Sequence, residues 1–209
     1  MKKLIYIVIT LLTLNSCKAQ ENTVMNNKII IPEVTKEFET FDINKFNKQK
    51  INGQVIINTD DELQMFIDYA NGYNKTTYIV NSSFSVVKNF YLNGNIEIKG
   101  VRFNNGSEYG IWYEFNEEGK LIKEINMDQG YIFGWDKVLE YCENNSIILD
   151  RGYPKKGGIK TEIFKNEEEG NKVWNITYYN YKKEQYLSLT LDGITGELTK
   201  EQMIDFEGN

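Results

Sequence analysis

FYLNGNIEIKGVRFNNGSEYGIWYEFNEEGKLIKEI, residues 90–125 of this 209-residue chain, is the stretch that decides the fold. Aromatic and β-branched residues form short runs in it, and turn-forming pairs such as Asn93-Gly94 separate the runs. Runs of this kind between Asn-Gly-type turns are typical of antiparallel strands joined by tight turns. The stretch therefore predicts a series of β-hairpins.

The same stretch begins an internal repeat. Residues 89–94 begin one copy, and residues 114–119 begin the next. Three pairs of glycines recur, the first pair 25 residues apart and the others 24: Gly94 and Gly119, Gly106 and Gly130, and Gly110 and Gly134. Trp112 and Trp135 follow the last pair. A repeat of this length indicates a hairpin unit that stacks on its neighbour, and flanking elements are expected to cap the two copies.

Residues 90–125 resemble the MORN-repeat variant family, whose pattern joins an Asn-Gly turn, a Gly-x-Trp motif and a final Gly-Lys-Leu. The matching positions are Gly94, Gly106, Gly110, Trp112, Tyr113, Gly119, Lys120 and Leu121. The resemblance implies a scaffold of hairpins. Part of that family consists of antitoxin or immunity components, which implies a protein partner, although such scaffolds serve many purposes.

The second half of the chain predicts a helix and then strands. Four apolar residues with helical spacing predict a helix over residues 135–144: Trp135, Val138, Leu139 and Cys142. Strands are expected over residues 173–181 and 186–191. The second strand alternates, which places three leucines inward: Leu187, Leu189 and Leu191.

The stretch LSLTLDGITGEL, residues 187–198, is similar to the end of a PepSY-type domain, in which a final strand runs into an Asp-x-x-Thr-Gly turn. The matching residues are Asp192, Thr195, Gly196 and Glu197. Modules of that family are associated with inhibition or protein contact at the cell envelope. The resemblance therefore implies binding rather than catalysis.

The N-terminal part predicts a helix and an edge strand. Thr59 and Glu62 have the spacing of a capping box. Four apolar residues with helical spacing extend the predicted helix to Asn71, with Gly72 after its end: Leu63, Phe66, Ile67 and Ala70. Residues 29–32 predict an edge strand that ends at a proline. Three aromatic residues are expected to attach the following polar stretch to the core: Phe38, Phe41 and Phe46.

The first seventeen residues predict an export signal. A basic start, Met1-Lys2-Lys3, precedes an apolar run over residues 4–14 that is too short to span a membrane. Cys17 follows the run, and the segment resembles a bacterial lipoprotein signal, in which the cysteine is acylated and becomes the first mature residue. The alternative is an ordinary signal peptide with a chance cysteine. Lys18, in place of the aspartate that retains such proteins at the inner membrane, favours the outer membrane.

Together these patterns predict an α+β protein that is mostly β, with antiparallel hairpin repeats followed by a small helix-plus-antiparallel-sheet module. The predicted boundaries are a signal at 1–16, a lipid tether at 17–33, an α+β segment packing on the repeats at 34–83, the repeats at 84–134 and the last module at 135–209.

Composition restricts the chemistry. The chain has no histidine, which excludes the usual general base of hydrolases and His-ligated zinc or haem. Without the signal, 22 basic and 30 acidic residues remain, and a charge of −8 disfavours nucleic acid. We expect the acids at 60–62 at the start of a helix, those at 167–169 in a solvated loop and those at 192–197 in a hydrogen-bonded turn. Cys142 is expected to be a core residue. No catalytic residue, metal or cofactor is predicted.

The leading hypothesis is a non-enzymatic protein, anchored in the membrane by acyl chains on Cys17, that binds another protein and in its most specific version inhibits a toxin. The candidate interface is a group of aromatic residues near the repeat: Tyr109, Tyr113 and Tyr131. The alternative is that these side chains stack between hairpins as core residues, together with Trp112 and Trp135. An envelope assembly factor, a glycan-binding protein and an undetected carboxylate-based enzyme are the alternative functions.

Overall fold

The computed structural model describes residues 29–154 and 160–204. The predicted signal and its acylated residue, Cys17, lie outside the described residues. Within those ranges the chain folds into two antiparallel sheets and two helices. The prediction of an α+β protein, mostly β and built from hairpins, is confirmed.

The first sheet is a seven-stranded meander in which each strand pairs with the next strand along the chain. Its strands are β1 (Gln54–Asn58), β2 (Glu62–Tyr69), β3 (Gly72–Ile79), β4 (Phe84–Phe90), β5 (Ile96–Phe103), β6 (Glu108–Phe115) and β7 (Leu121–Asn126). Short turns join them, as antiparallel neighbours require. The predicted repeat region supplies β4 to β7, and three earlier strands extend the same sheet.

The second sheet has four antiparallel strands. They are β8 (Glu162–Glu168), β9 (Asn171–Asn180), β10 (Gln185–Asp192) and β11 (Leu198–Ile204), in the order β11-β10-β9-β8. Helix α1 (Ile43–Gln49) precedes the first sheet, and helix α2 (Trp135–Asn144) links the two sheets. The predicted helix at 135–144 and the strands at 173–181 and 186–191 are confirmed. The inward leucines are buried, with exposures of 3% or less: Leu187, Leu189 and Leu191.

The helix predicted from Thr59 to Asn71 is wrong, because this segment forms a turn and strand β2. Thr59 Oγ1 accepts a hydrogen bond from Glu62 N at 3.2 Å, as in a capping box, but Thr59 N donates to the Glu62 carbonyl at 2.9 Å and closes a hairpin. Every residue of β2 is paired with β3, and most are paired with β1 as well. Pairing on both sides therefore overrides a helical periodicity that was only local.

The edge strand predicted at Ile29–Pro32 is also wrong, because these residues form no strand. Ile29 and Ile31 pack against the core instead, and Ser82 Oγ donates a hydrogen bond to the carbonyl of Ile30. The last residues of the predicted tether, 29–33, thus lie along the folded body.

Two apolar clusters form the core. The larger one joins the two sheets through α2 and includes Phe84, Trp135 and Trp174. The smaller one surrounds α1 and includes Phe46 and Phe90. Phe84 and Phe90 lie an even number of residues apart in β4, so both clusters cover the same side of the first sheet. We call this side the inner face and the opposite side the outer face.

The aromatic residues of the N-terminal segment have different environments. Phe41 and Phe46 are buried, at 9% and 4% exposure, as predicted. Phe38 is 47% exposed and lies over the turn that contains Gly119. The segment is thus held to the inner face by two of the three rings.

Candidate protein-binding site

Two equivalent turns account for the 25-residue period. In the turns 91–95 and 116–120, the first residue donates its N–H to the carbonyl of the last, at 2.9 and 3.0 Å. Gly94 and Gly119 occupy the same position, with φ of +87° and +82°, which glycine adopts at no steric cost. Two asparagine amides of the first turn donate to the carbonyl of Glu117 in the second. The repeated turns therefore pack side by side.

The other repeated glycines are not equivalent. Gly106 lies against β8, where a Cβ would meet the carbonyl of Ile163, whereas Gly130 lies in the connection to α2 with φ +88°. Gly110 has φ +65°, whereas Gly134 is the N-cap of α2 with φ −77°. The likeness between the two copies ends where the helix begins.

The two repeated tryptophans are buried on opposite faces of the first sheet. Trp112, 6% exposed, lies over Gly100 on the outer face and donates its indole N–H to the Val101 carbonyl at 2.9 Å. Trp135, 3% exposed, belongs to the core on the inner face, with its ring 4.8 Å from that of Trp174. Both side chains are structural.

The three candidate interface tyrosines are partly buried against the core. Tyr109 packs on the larger cluster, with its ring 5.4 Å from Phe84, and Tyr113 packs on the smaller one. Tyr131 lies 5.0 Å from the ring of Trp174, and burial, with the charge of Glu167, raises its pKa to about 12. These residues belong to two clusters rather than to one exposed patch, so packing within the fold describes them better than an interface.

The outer face of the first sheet carries apolar side chains that belong to neither core cluster. One row crosses β1 to β5 at paired positions: Ile56, Met65, Thr76, Val87 and Gly100. A parallel row beside it consists of Gln54, Ile67, Asn74, Asn89 and Ile98. Trp112 covers Gly100 and continues the first row. No residue of either row is charged.

The inner face carries charge instead. Lys75, Lys88 and Lys99 lie directly opposite one another on β3, β4 and β5, an arrangement that is unfavourable for like charges. Glu39 binds two of them, with its carboxylate oxygens 2.5 Å from Lys88 Nζ and 2.6 Å from Lys99 Nζ. Lys99, whose side chain is fully buried, also donates to the carbonyl of Glu37.

Sequence reasoning missed the outer face because β2 was predicted as a helix. A partial signal for it was present, since Leu63, Met65 and Ile67 occupy every second position, although the apolar Phe66 between them interrupts the alternation. Only the pairing with β1 and β3 aligns these residues with apolar residues of other strands.

The acidic groups singled out in the sequence have structural surroundings. Asp60 and Asp61 lie in the turn between β1 and β2. Asp192 accepts hydrogen bonds from the backbone of Thr195 and Ile194, which together lower its pKa. Within residues 29–154 and 160–204, no three acidic or cysteine side chains come together as a metal site.

The remaining acids and the free cysteine are equally structural. Glu167 forms an ion pair with Lys172 across the hairpin of β8 and β9 at 2.5 Å. Cys142 is fully buried in α2, and burial raises its pKa to about 12. A thiol in this setting is a core side chain rather than a nucleophile.

Neither described helix has the length and apolar character needed to cross a bilayer. No protein family, curated protein or solved structure matches the chain. A functional proposal therefore depends on the two faces of the first sheet and on the sequence.

Proposed function

We propose that this chain is a non-enzymatic, lipid-anchored protein of the cell envelope that binds another protein through the outer face of its first sheet. Its most specific version is an immunity- or antitoxin-type inhibitor of a toxin. Acyl chains on Cys17 would provide the anchor, and the outer membrane is the proposed location. The eleven residues 18–28 would then separate the lipid from the described body.

Two adjacent uncharged rows on the outer face are the observation that carries this proposal. A sheet with one covered side normally keeps its charges on the solvated side, whereas here three lysines lie on the covered side. The two central outer rows hold no charge across five strands. Exposed apolar side chains on an uncharged surface are typical of interaction sites, where Met is enriched. Ile56 is 55% exposed, and Met65 and Ile67 are partly exposed.

The overall charge supports the same class of partner. A chain that is strongly acidic disfavours nucleic acid and favours association with a basic protein, because complementary charge accelerates the encounter. A contact surface centred on the two uncharged rows of an acidic body would combine such steering with apolar burial at the interface.

A pair of matched variants tests the proposed surface. Tagged full-length protein is purified from native envelopes as wild type, Met65→Glu and Met203→Glu, and bound proteins are identified by mass spectrometry. Met203 is 70% exposed on β11, so its variant adds the same charge away from the outer face. We expect one dominant partner with the wild type and with Met203→Glu, and its loss with Met65→Glu, whose fold is checked by circular dichroism.

Other outcomes contradict the proposal in distinct ways. Equal recovery with both variants would place the interface away from the outer face. Absence of any partner would remove protein binding and favour the glycan-binding alternative. The toxin version is tested by co-expression with the product of an adjacent gene, and failure to rescue growth would remove that version alone.

A further inference from the structure

The row of lysines on the inner face leaves one cation without a partner. Glu39 binds Lys88 and Lys99, but within the described part of the chain Lys75 has no ion pair or hydrogen bond. Its ammonium lies 5.3 Å from the centre of the Phe66 ring. Burial, followed by the charge of Lys88, lowers the pKa of Lys75. The fold thus holds a half-buried amine beside a like charge, which is unfavourable without a ligand.

Lys75 faces two adjoining cavities beneath the N-terminal segment. One, of about 270 Å³, lies between α1 and strands β1 to β4, and the other, of about 350 Å³, continues toward residues 32–35. Three residues line both cavities: Glu39, Gln64 and Lys75. Small-ligand sites combine apolar walls with a few placed polar groups at volumes of about 300–1,000 Å³, and the first cavity lies near the lower limit of this range.

The first cavity has an apolar wall, and polar and charged side chains line the rest of it. Its apolar wall consists of Phe41, Phe46, Val55, Ile57, Phe66 and Phe90. Lys45 of α1 also lines it, and its Nζ has no hydrogen bond or ion pair to any described residue. The cationic side chains of Lys45 and Lys75 therefore both line the cavity that has this apolar wall.

Of the four acids that line the two cavities, three accept hydrogen bonds from other groups, and the fourth, Glu33, lies in the second cavity. Glu39 is bound by Lys88 and Lys99, and Asp42 accepts the backbone N–H of Lys45 as the N-cap of α1. Glu62, beside the second cavity, accepts a hydrogen bond from the Gln64 amide. These three carboxylates are held by other groups, and none is within ion-pairing distance of Lys75.

We propose that the cavity between α1 and β1–β4 binds a small organic carboxylate. The carboxylate group lies between Lys75 and Lys45, and the apolar part of the ligand packs against Phe46 and Phe66. Such a ligand would supply the charge that the row of lysines lacks, and it would bury apolar surface in the same step. This site is independent of the outer face and of the proposed protein partner.

Residue-specific amine modification tests the site in the full-length protein purified in detergent. Lysines are acetylated in a short pulse at neutral pH, with hexanoate as the probe, and modification is read by mass spectrometry. Hexanoate should slow modification of Lys75 several-fold and leave exposed Lys123 on β7 unchanged. Hexan-1-ol, which lacks the charge, and inorganic phosphate, which lacks the apolar part, should not protect Lys75.

A thermal-unfolding series gives a second readout. Hexanoate should raise the Tm of the wild type and of Lys123→Met, because a ligand that binds the folded state stabilises it. Lys75→Met, in which an apolar side chain faces Phe66, should fold and lose that shift.

Three results would overturn the inference. Lys75 of the wild type could remain unprotected by hexanoate, or Lys75→Met could retain the full Tm shift. Equal protection by phosphate would show an anion site without preference for an organic carboxylate. Any of these results would leave the outer-face experiment unaffected.

Discussion

Glu39→Gln should destabilise the protein by about 3 kcal/mol, because Glu39 is the carboxylate that faces two lysines of the inner face. Lys99, fully buried, lies 2.6 Å from it, and Lys88 lies 2.5 Å from it. Removing one partner of a buried ion pair costs about 3–5 kcal/mol, since the other charge stays buried. The expected cost is at the lower end of this range because 34% of the Glu39 side chain is exposed.

Substitution of the lysine, Lys99→Met, should reduce the free energy of unfolding much less than Glu39→Gln does. Lys99→Met removes the fully buried charge and leaves Glu39, which is partly exposed, paired with Lys88, so no buried charge is left without a partner. The double variant should therefore lose less stability than the two single losses combined.

Urea unfolding followed by tryptophan fluorescence measures these free energies, since the three tryptophans are buried at 6% exposure or less: Trp112, Trp135 and Trp174. Glu37→Gln is the matched control, because Glu37 contacts Lys99 only through its main-chain carbonyl. A loss below about 1 kcal/mol for Glu39→Gln, at the scale of an exposed ion pair, would refute the reasoning. An equal loss for Glu37→Gln would do the same.

The effect should also depend on pH. Burial raises the pKa of Glu39, but hydrogen bonds and charges from Lys88 and Lys99 outweigh it and hold the pKa below the usual 4.5. A lowered pKa adds stability that is fully present above the unfolded value and is lost as the pH falls through the folded one. The difference between wild type and Glu39→Gln should therefore shrink below pH 4.5.

Two further predictions concern the core and the turns. Cys142 should not react with a disulfide reagent at pH 8 until the protein unfolds, because burial raises its pKa to about 12; fast reaction of the folded protein would contradict this. Gly94→Ala and Gly119→Ala should each cost at least about 1–2 kcal/mol in urea unfolding, because both glycines have positive φ and a Cβ would also meet the Phe41 carbonyl or the Phe38 ring. Gly134→Ala, at φ −77°, is the control, and an equal loss there would show that φ is not the cause.

The error at β2 shows where local pattern reading fails. Leu63, Phe66 and Ile67 fit a helix, and Thr59 with Glu62 forms one of the hydrogen bonds of a capping box. The competing signal was the sequence Tyr69-Ala70-Asn71-Gly72, whose Tyr-x-Asn-Gly pattern recurs at residues 91–94 in the hairpin of β4 and β5. Asn-Gly is a strong hairpin signal, and recognising it here would have predicted β2 and β3.

The candidate site was harder to predict than the elements. The tyrosines near the repeat were visible in the sequence, but whether they face solvent depends on which side of the sheet the core covers. The exposure of Met65 and Lys75 also depends on which side is covered, because Met65 lies on the outer face and Lys75 on the inner face of the first sheet. A period-2 pattern gives the two faces of a strand without stating which one is covered.

The sequence by itself determined the hairpin turns at 91–95 and 116–120, helix α2 and strand β10, because glycine geometry and short-range periodicity are local properties of the chain. The tertiary structure alone decided that three lysines share a row, that one carboxylate from the N-terminal segment binds two of them, and that two uncharged rows lie on the opposite face of the sheet. Glu39 and Lys99 are 60 residues apart, and contacts at such separation depend on strand register and on how distant segments pack.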